Sequence, residues 1–198
     1  MVDTARTVSA LQTLFADNTN GDISPQDLRD FLVSVMGRTK HVWVGAGAFI
    51  LTTGTPSRAI VGDTATTEDK VDGWAFDAAS DEAITANLLL PADWDGGVIT
   101  VKFYVSPTST NTGSVRWALR VGDIAAGDQV DEAAAHIVVD NFAMAGTDQD
   151  LEIETIGTFT PTSNYLRLGV VRDGNDAGDT YTGDAIFHGL ALEYTAAY

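Results

Sequence analysis

The sequence predicts a mainly β protein: an antiparallel β-sandwich of jelly-roll type, preceded by a short N-terminal helical hairpin. Three observations predict it. Beyond Gly37 the apolar residues recur with a period of two in one short run after another. Many of the 19 glycines fall between those runs, where turns belong. Before Gly37 the apolar period is helical instead. A chain of 198 residues, 44% hydrophobic, is long enough for one sizeable core with an appendage.

Residues 1–40 are expected to form the helical arm. Val8, Leu11, Leu14 and Phe15 recur at helical spacing. For a second helix, Ser24 is a good N-cap, Pro25 suits the first helical position, and Asp27 can complete a capping-box-like start. Leu28, Phe31, Leu32, Val35 and Met36 then follow the i, i+3, i+4, i+7, i+8 stripe, and Gly37 stops it. Helices of about three turns sit near or below the length that is stable alone in water. Their stripes therefore need cover, from the rest of the chain or from a neighbouring subunit. The reading adopted is a docking arm, with those five residues as assembly contacts.

Residues 41–198 are expected to form the sandwich. Ile99, Val101, Phe103 and Val105 alternate with Thr100, Lys102 and Tyr104. Val115, Trp117, Leu119 and Val121 alternate with Ser114, Arg116, Ala118 and Arg120. Leu166, Leu168 and Val170 follow the same rule, and Ile186, Leu190, Leu192 and Tyr194 are assigned one face of a last strand. Shorter candidates are 42–51, 84–90, 137–142 and 151–156. The result is about eight strands, the count of a sandwich or jelly roll. The Thr-, Asp- and Gly-rich stretch 54–73 reads as a linker or long loop.

Charge narrows the partners. With 28 acidic and 11 basic residues the net charge is −17, a surface that repels nucleic acid. Cysteine is absent, which removes disulfides and thiolate metal sites and fits a reducing cytosol. The first nine residues lack the apolar core of a signal peptide, and no apolar run approaches a membrane helix. Neither nucleic acid nor membrane is expected as a partner.

Few residues suggest chemistry. Asn18, Asn20, Gly21, Ile23 and Asp27 can be aligned with an EF-hand loop, but Ala16 would stand at the first ligand position and Asp27 is short for the last. An Asx-rich turn explains the segment better. Asp173, Asp176 and Asp179, with Asp184, are weak calcium candidates in a glycine-rich loop that solvation alone also explains. Asp93 and Asp95 flank Trp94, yet neighbouring loop positions do not place carboxyl groups on opposite sides of a sugar. Trp94 with Tyr181 is a candidate glycan contact. Trp43, Trp74 and Trp117 are expected to pack. Arg116 and Arg120 fall on the strand face opposite Trp117, free for acidic neighbours or for water. His188 shares parity with Ile186 and Leu190 and reads as a satisfied core or interface residue. No nucleophile elbow or zinc-helix spacing is present, so no catalytic residue is assigned.

Two stretches carry a resemblance. The segment Leu14-Phe15-Ala16-Asp17-Asn18-Thr19-Asn20-Gly21-Asp22-Ile23-Ser24-Pro25-Gln26-Asp27-Leu28-Arg29-Asp30-Phe31 resembles a helical segment near the N-terminus of many tailed-bacteriophage structural proteins. The landmarks Gly73-Trp74-Ala75-Phe76-Asp77, Leu90-Pro91-Ala92-Asp93-Trp94-Asp95-Gly96-Gly97, Val115-Arg116-Trp117-Ala118-Leu119 and Leu190-Ala191-Leu192-Glu193-Tyr194 are similar to the β-rich domain of phage virion proteins. The resemblance implies a non-enzymatic virion component, assembled in the host cytoplasm. It would be a capsid decoration or cement protein, or a short head fibre, docked on the major capsid protein or other virion proteins and forming a homotrimer. A tail fibre or receptor-binding adsorption protein is the first alternative. A carbohydrate-binding module is the second.

Overall fold

The period-two runs become strands because each carries one apolar face that must be covered, and two such sheets cover one another. The structure, a computed structural model, describes residues 24–36, 38–62 and 70–197. Among them are one α-helix and eleven strands. The predicted helix around Val8–Phe15 and the EF-hand-like turn before Ser24 lie outside the described residues.

Helix α1 (Pro25–Met36) starts as the sequence dictates. The Ser24 amide donates to the Asp27 carboxylate at 2.9 Å, and the Asp27 amide donates back to the Ser24 hydroxyl at 3.2 Å, a reciprocal capping box. Leu28 and Leu32 on its stripe are 53% and 44% exposed. No strand packs extensively against the helix among the described residues.

The first sheet has the order β3 (Ser57–Gly62), β4 (Lys70–Phe76), β11 (Ala185–Thr195), β6 (Ile99–Pro107), β9 (Glu152–Phe159). A sixth strand, β1 (Thr39–Gly45), continues the edge of β11 that β4 begins: β4 pairs with Ala185–Phe187 and β1 with Gly189–Thr195. The second sheet runs β2 (Ile50–Thr53), β5 (Asp81–Leu89), β10 (Tyr165–Asp173), β7 (Gly113–Ile124), β8 (His136–Met144). All pairings are antiparallel. Between the sheets Trp117 is fully buried, with Phe76 and Phe103 meeting its ring edge-on at 5.0 and 5.9 Å.

Three expectations are corrected. The run 42–51 is two strands in different sheets. The chain crosses over in a 3₁₀ turn at Ala46–Ala48, and the Ala46 carbonyl accepts both Trp74 Nε1 and Arg58 Nη1 at 3.0 Å. The stretch 54–73 is not one linker, since β3 and the start of β4 form there. Its alternation is faint because it is a sheet edge with a polar outer side, where Arg58 pairs with Asp72 and lies over Trp74. Finally, a bulge between Phe187 and Gly189 flips the parity of β11. Phe187, Leu190, Leu192 and Tyr194 enter the core, and Ile186 stays outside it.

Candidate functional site

The bulge also sets His188 on the outer face of the six-stranded sheet, beside an aromatic pair. Val42 and Val44 on β1 pack inward, so Trp43 between them points out and is 51% exposed. Its ring meets Tyr104 of β6 edge-on, at 4.8 Å and 86°. Together with Val71, Gln149, Leu151 and His188 they line a pit of about 330 Å³.

Two glycines make room for the indole. A Cβ at residue 45 would stand 3.0 Å from Trp43 Nε1, and one at residue 189 only 2.5 Å from Trp43 Cζ2. His188 is held from both ring nitrogens: Nδ1 is 3.2 Å from the Asp72 carbonyl and Nε2 2.8 Å from the Ser106 hydroxyl. A carbonyl only accepts, so Nδ1 carries the proton and Ser106 donates to Nε2. Burial pushes the His188 pKa down, against the opposing pull of the Asp72 carbonyl.

The polar groups of the pit are otherwise unspent. Among the described residues the Trp43 N–H, the Tyr104 hydroxyl and the Gln149 amide have no protein partner. Gln149 is the single described non-glycine residue at positive φ, 63°, and its backbone N–H is tied to the Pro107 carbonyl at 3.0 Å. The pit therefore offers a ring face, apolar walls and several free donors and acceptors. No carboxylate lines it.

The residues singled out in the sequence fall elsewhere. Tyr181 is 1% exposed, with its hydroxyl 3.2 Å from that of Ser109, so it has no face for a sugar. Trp94 is partly buried against the core, donates to the Gly97 carbonyl and bridges to Ala196 just past the end of β11. Tyr181 precedes the start of β11, so the two aromatics sit at opposite ends of the sandwich, on the order of 30 Å apart. Their pairing as a glycan contact is withdrawn. Asp93 accepts from Lys40 and, at 3.0 Å, from the Tyr194 hydroxyl; these bonds hold its pKa down. Asp95 accepts from the Gly97 amide.

The calcium candidates are corrected too. Both Asp179 oxygens accept from fully buried Arg172, at 2.9 Å each, and Arg172 also reaches the carbonyls of Phe76, Tyr181 and Gly183. Asp176 lies 3.2 Å from Arg116 and Asp173 4.0 Å from it. Burial, then the neighbouring Asp81 and Asp176, push the Asp173 pKa up. Arginines are the counter-ions of this loop. Among the described residues no cluster of three or more His, Asp or Glu side chains could hold a metal. Of the helical assembly residues, Leu28 and Leu32 are exposed and Phe31 is half-buried; the side chains of Val35 and Met36 lie outside the described set.

Composition alone groups Trp43 with Trp74 and Trp117, which do pack, and so hides it as a site residue. Its parity against Val42 and Val44 was the available signal.

No protein-family model matches the chain, and no curated protein does. Solved structures with a similar strand arrangement include three carbohydrate-binding modules. One is the CBM36-1 domain of a multidomain xylanase from the hindgut metagenome of Trinervitermes trinervoides, at 10% identity and TM-score 0.49, covering 77% of this chain and 96% of that one. Another is a family 35 carbohydrate-binding module from Clostridium thermocellum, at 14% and 0.47, covering 77% and 97%. A third is the CBM35 from Paenibacillus barcinonensis, at 18% and 0.46, covering 79% and 98%. Likenesses this low assign no ligand to the chain.

Proposed function

We propose that the chain is a non-catalytic saccharide-binding module whose site is the Trp43–Tyr104 pit. The observation that carries this reading is a half-exposed indole ringed by unspent hydrogen-bonding groups. A pyranose ring presents C–H bonds on its faces and hydroxyls at its rim. The first suits an aromatic face and the second suit the Trp43 N–H, the Tyr104 hydroxyl and the Gln149 amide. A pit of about 330 Å³ is at the small end for a ligand site and fits one or two sugar units. Cleavage is not part of the reading: glycoside hydrolysis uses a carboxyl pair, and neither a carboxylate nor a free histidine nitrogen lines the pit. Glycan-array binding of the purified chain, repeated with Trp43→Ala, tests it. Saccharide spots lost in the variant support the site; an array with no binding refutes it.

A second reading concerns the arm. The exposed Leu28 and Leu32 leave an apolar stripe on α1 without extensive cover from the strands. We propose that this stripe attaches the module to a larger assembly, which the phage resemblance makes a virion, as a decoration protein, head fibre or adsorption protein. The homotrimer belongs to the same proposal. The two readings are compatible, since one uses the helix and the other a sheet face.

A further inference from the structure

The opposite face of the sandwich carries a second concavity. A groove of about 570 Å³ runs over the outer side of the five-stranded sheet. Thr85, Gly169, Arg120 and Ile137, all in its lining, are register partners on the successive strands β5, β10, β7 and β8. Gly169 leaves the floor open between Thr85 and Arg120. One wall is formed by Ala133 and Ala134, whose segment is strapped down by Arg167: Nη1 donates to the Val130 carbonyl at 3.0 Å and Nη2 to the Glu132 carbonyl. The Arg167 guanidinium passes over Gly122, where a Cβ would stand 3.2 Å from Nη2.

The charge of this groove is against the trend of the chain. Carboxylates outnumber basic residues 28 to 11. Arg58, Arg116 and Arg172 each face one. Arg167 meets only neutral carbonyls, and exposed Arg120 has no hydrogen-bond or ion-pair partner among the described residues. No carboxylate lines the groove. Asp128 of the wall segment turns its carboxylate to the Ala125 amide, and exposed Asp131 and Glu132 pair with neither arginine. Thr52 and Thr85, also in the lining, spend their hydroxyl protons on the Ala83 and Leu168 carbonyls at 3.0 Å. Their oxygens remain as acceptors for hydroxyl donors.

We propose that this groove is a second binding site, separate from the Trp43 pit, for a saccharide bearing a carboxylate. Arg120 takes the carboxylate, since a planar guanidinium matches its two oxygens. Arg167 is a positioning residue that holds the wall. The threonine acceptors favour a polyol over an acidic peptide. The ligand class extends the saccharide reading, but the groove uses none of the pit's residues.

The test is titration calorimetry of the full chain at about 0.15 M salt, where surface charges alone are well screened. The probes are trigalacturonate and sialyllactose, their methyl esters, polyglutamate and inorganic phosphate. At least one acidic saccharide is expected to bind, and its ester at least about tenfold more weakly. Arg120→Gln should lose a similar factor and Arg120→Lys recover only part of it. Trp43→Ala should leave this binding unchanged, while Arg120→Gln should leave neutral-saccharide binding at the pit unchanged. No binding of either acidic probe, undiminished binding by Arg120→Gln or by the ester, or equal binding of polyglutamate or phosphate would overturn the proposal. So would loss of the acidic saccharide in Trp43→Ala.

Discussion

Trp43 lies against Gly189 so closely that a Cβ there would stand 2.5 Å from the indole, with its register partner Ala191 beside it. The ring holds its place because the bulge at His188 presents a residue without a side chain, at φ 154°, a conformation that L side chains rarely adopt. Gly189→Ala should therefore displace Trp43 and strain the bulge together. The expected loss is about 1–3 kcal/mol in urea unfolding, accompanied by a red-shifted tryptophan emission. Unchanged stability and emission would mean that the indole does not depend on this contact.

Arg172 and Asp179 form a pair whose side chains are 0% and 1% exposed. Removing one partner strands the other's charge in the core. Asp179→Ala should cost about 3–5 kcal/mol in denaturant unfolding. Because Arg172 also fastens three carbonyls around the 174–184 segment, amide exchange there should accelerate in the variant.

His188 makes stability fall on acidification. Its folded pKa is depressed by burial below the unfolded value of 6.5, so the unfolded chain binds more protons as pH drops. Its neutral form is fully compatible with the fold above that value, and stability declines as pH falls through it towards the folded pKa. His188→Gln should flatten this part of a plot of unfolding free energy against pH between about pH 7 and pH 5. An unaltered slope would assign the loss to other groups.

Phe31→Asp with Leu32→Asp should leave the near-UV dichroism of the sandwich intact, because no strand packs extensively against α1 among the described residues. Under the proposed docking role the native chain should co-sediment with virion particles and the double variant should not. Normal co-sedimentation would remove the docking role from the stripe.

Most of the sandwich could be read from alternation, since strands such as β6 and β7 pair one apolar face with one polar face. Less was legible where the backbone breaks the period. A two-residue count across His188 misplaces Ile186, because a bulge is invisible in the apolar pattern. The crossover at Ala46–Ala48 is hidden inside one apolar run, since Val44, Ala46 and Phe49 are buried before, within and after it while the apolar Ile50 and Leu51 that follow are exposed. The pit was legible only in part. Trp43 announces its orientation through Val42 and Val44, but Tyr104 and His188 join it through sheet register, and Gln149 through a turn bonded to Pro107, none of which a local pattern encodes. The groove is harder still: that Arg120 and Arg167 meet no carboxylate, while Arg58, Arg116 and Arg172 do, shows only once the fold places the acidic residues.

The four tryptophans of the chain permit a direct check, because each indole N–H gives its own proton–nitrogen resonance. With the Trp43 signal assigned from Trp43→Ala, a saccharide selected by array is titrated into the labelled chain. The Trp43 indole signal should shift and saturate while that of buried Trp117 stays fixed. Saturation that leaves Trp43 unmoved, or that moves Trp94 instead, would contradict a site in the pit.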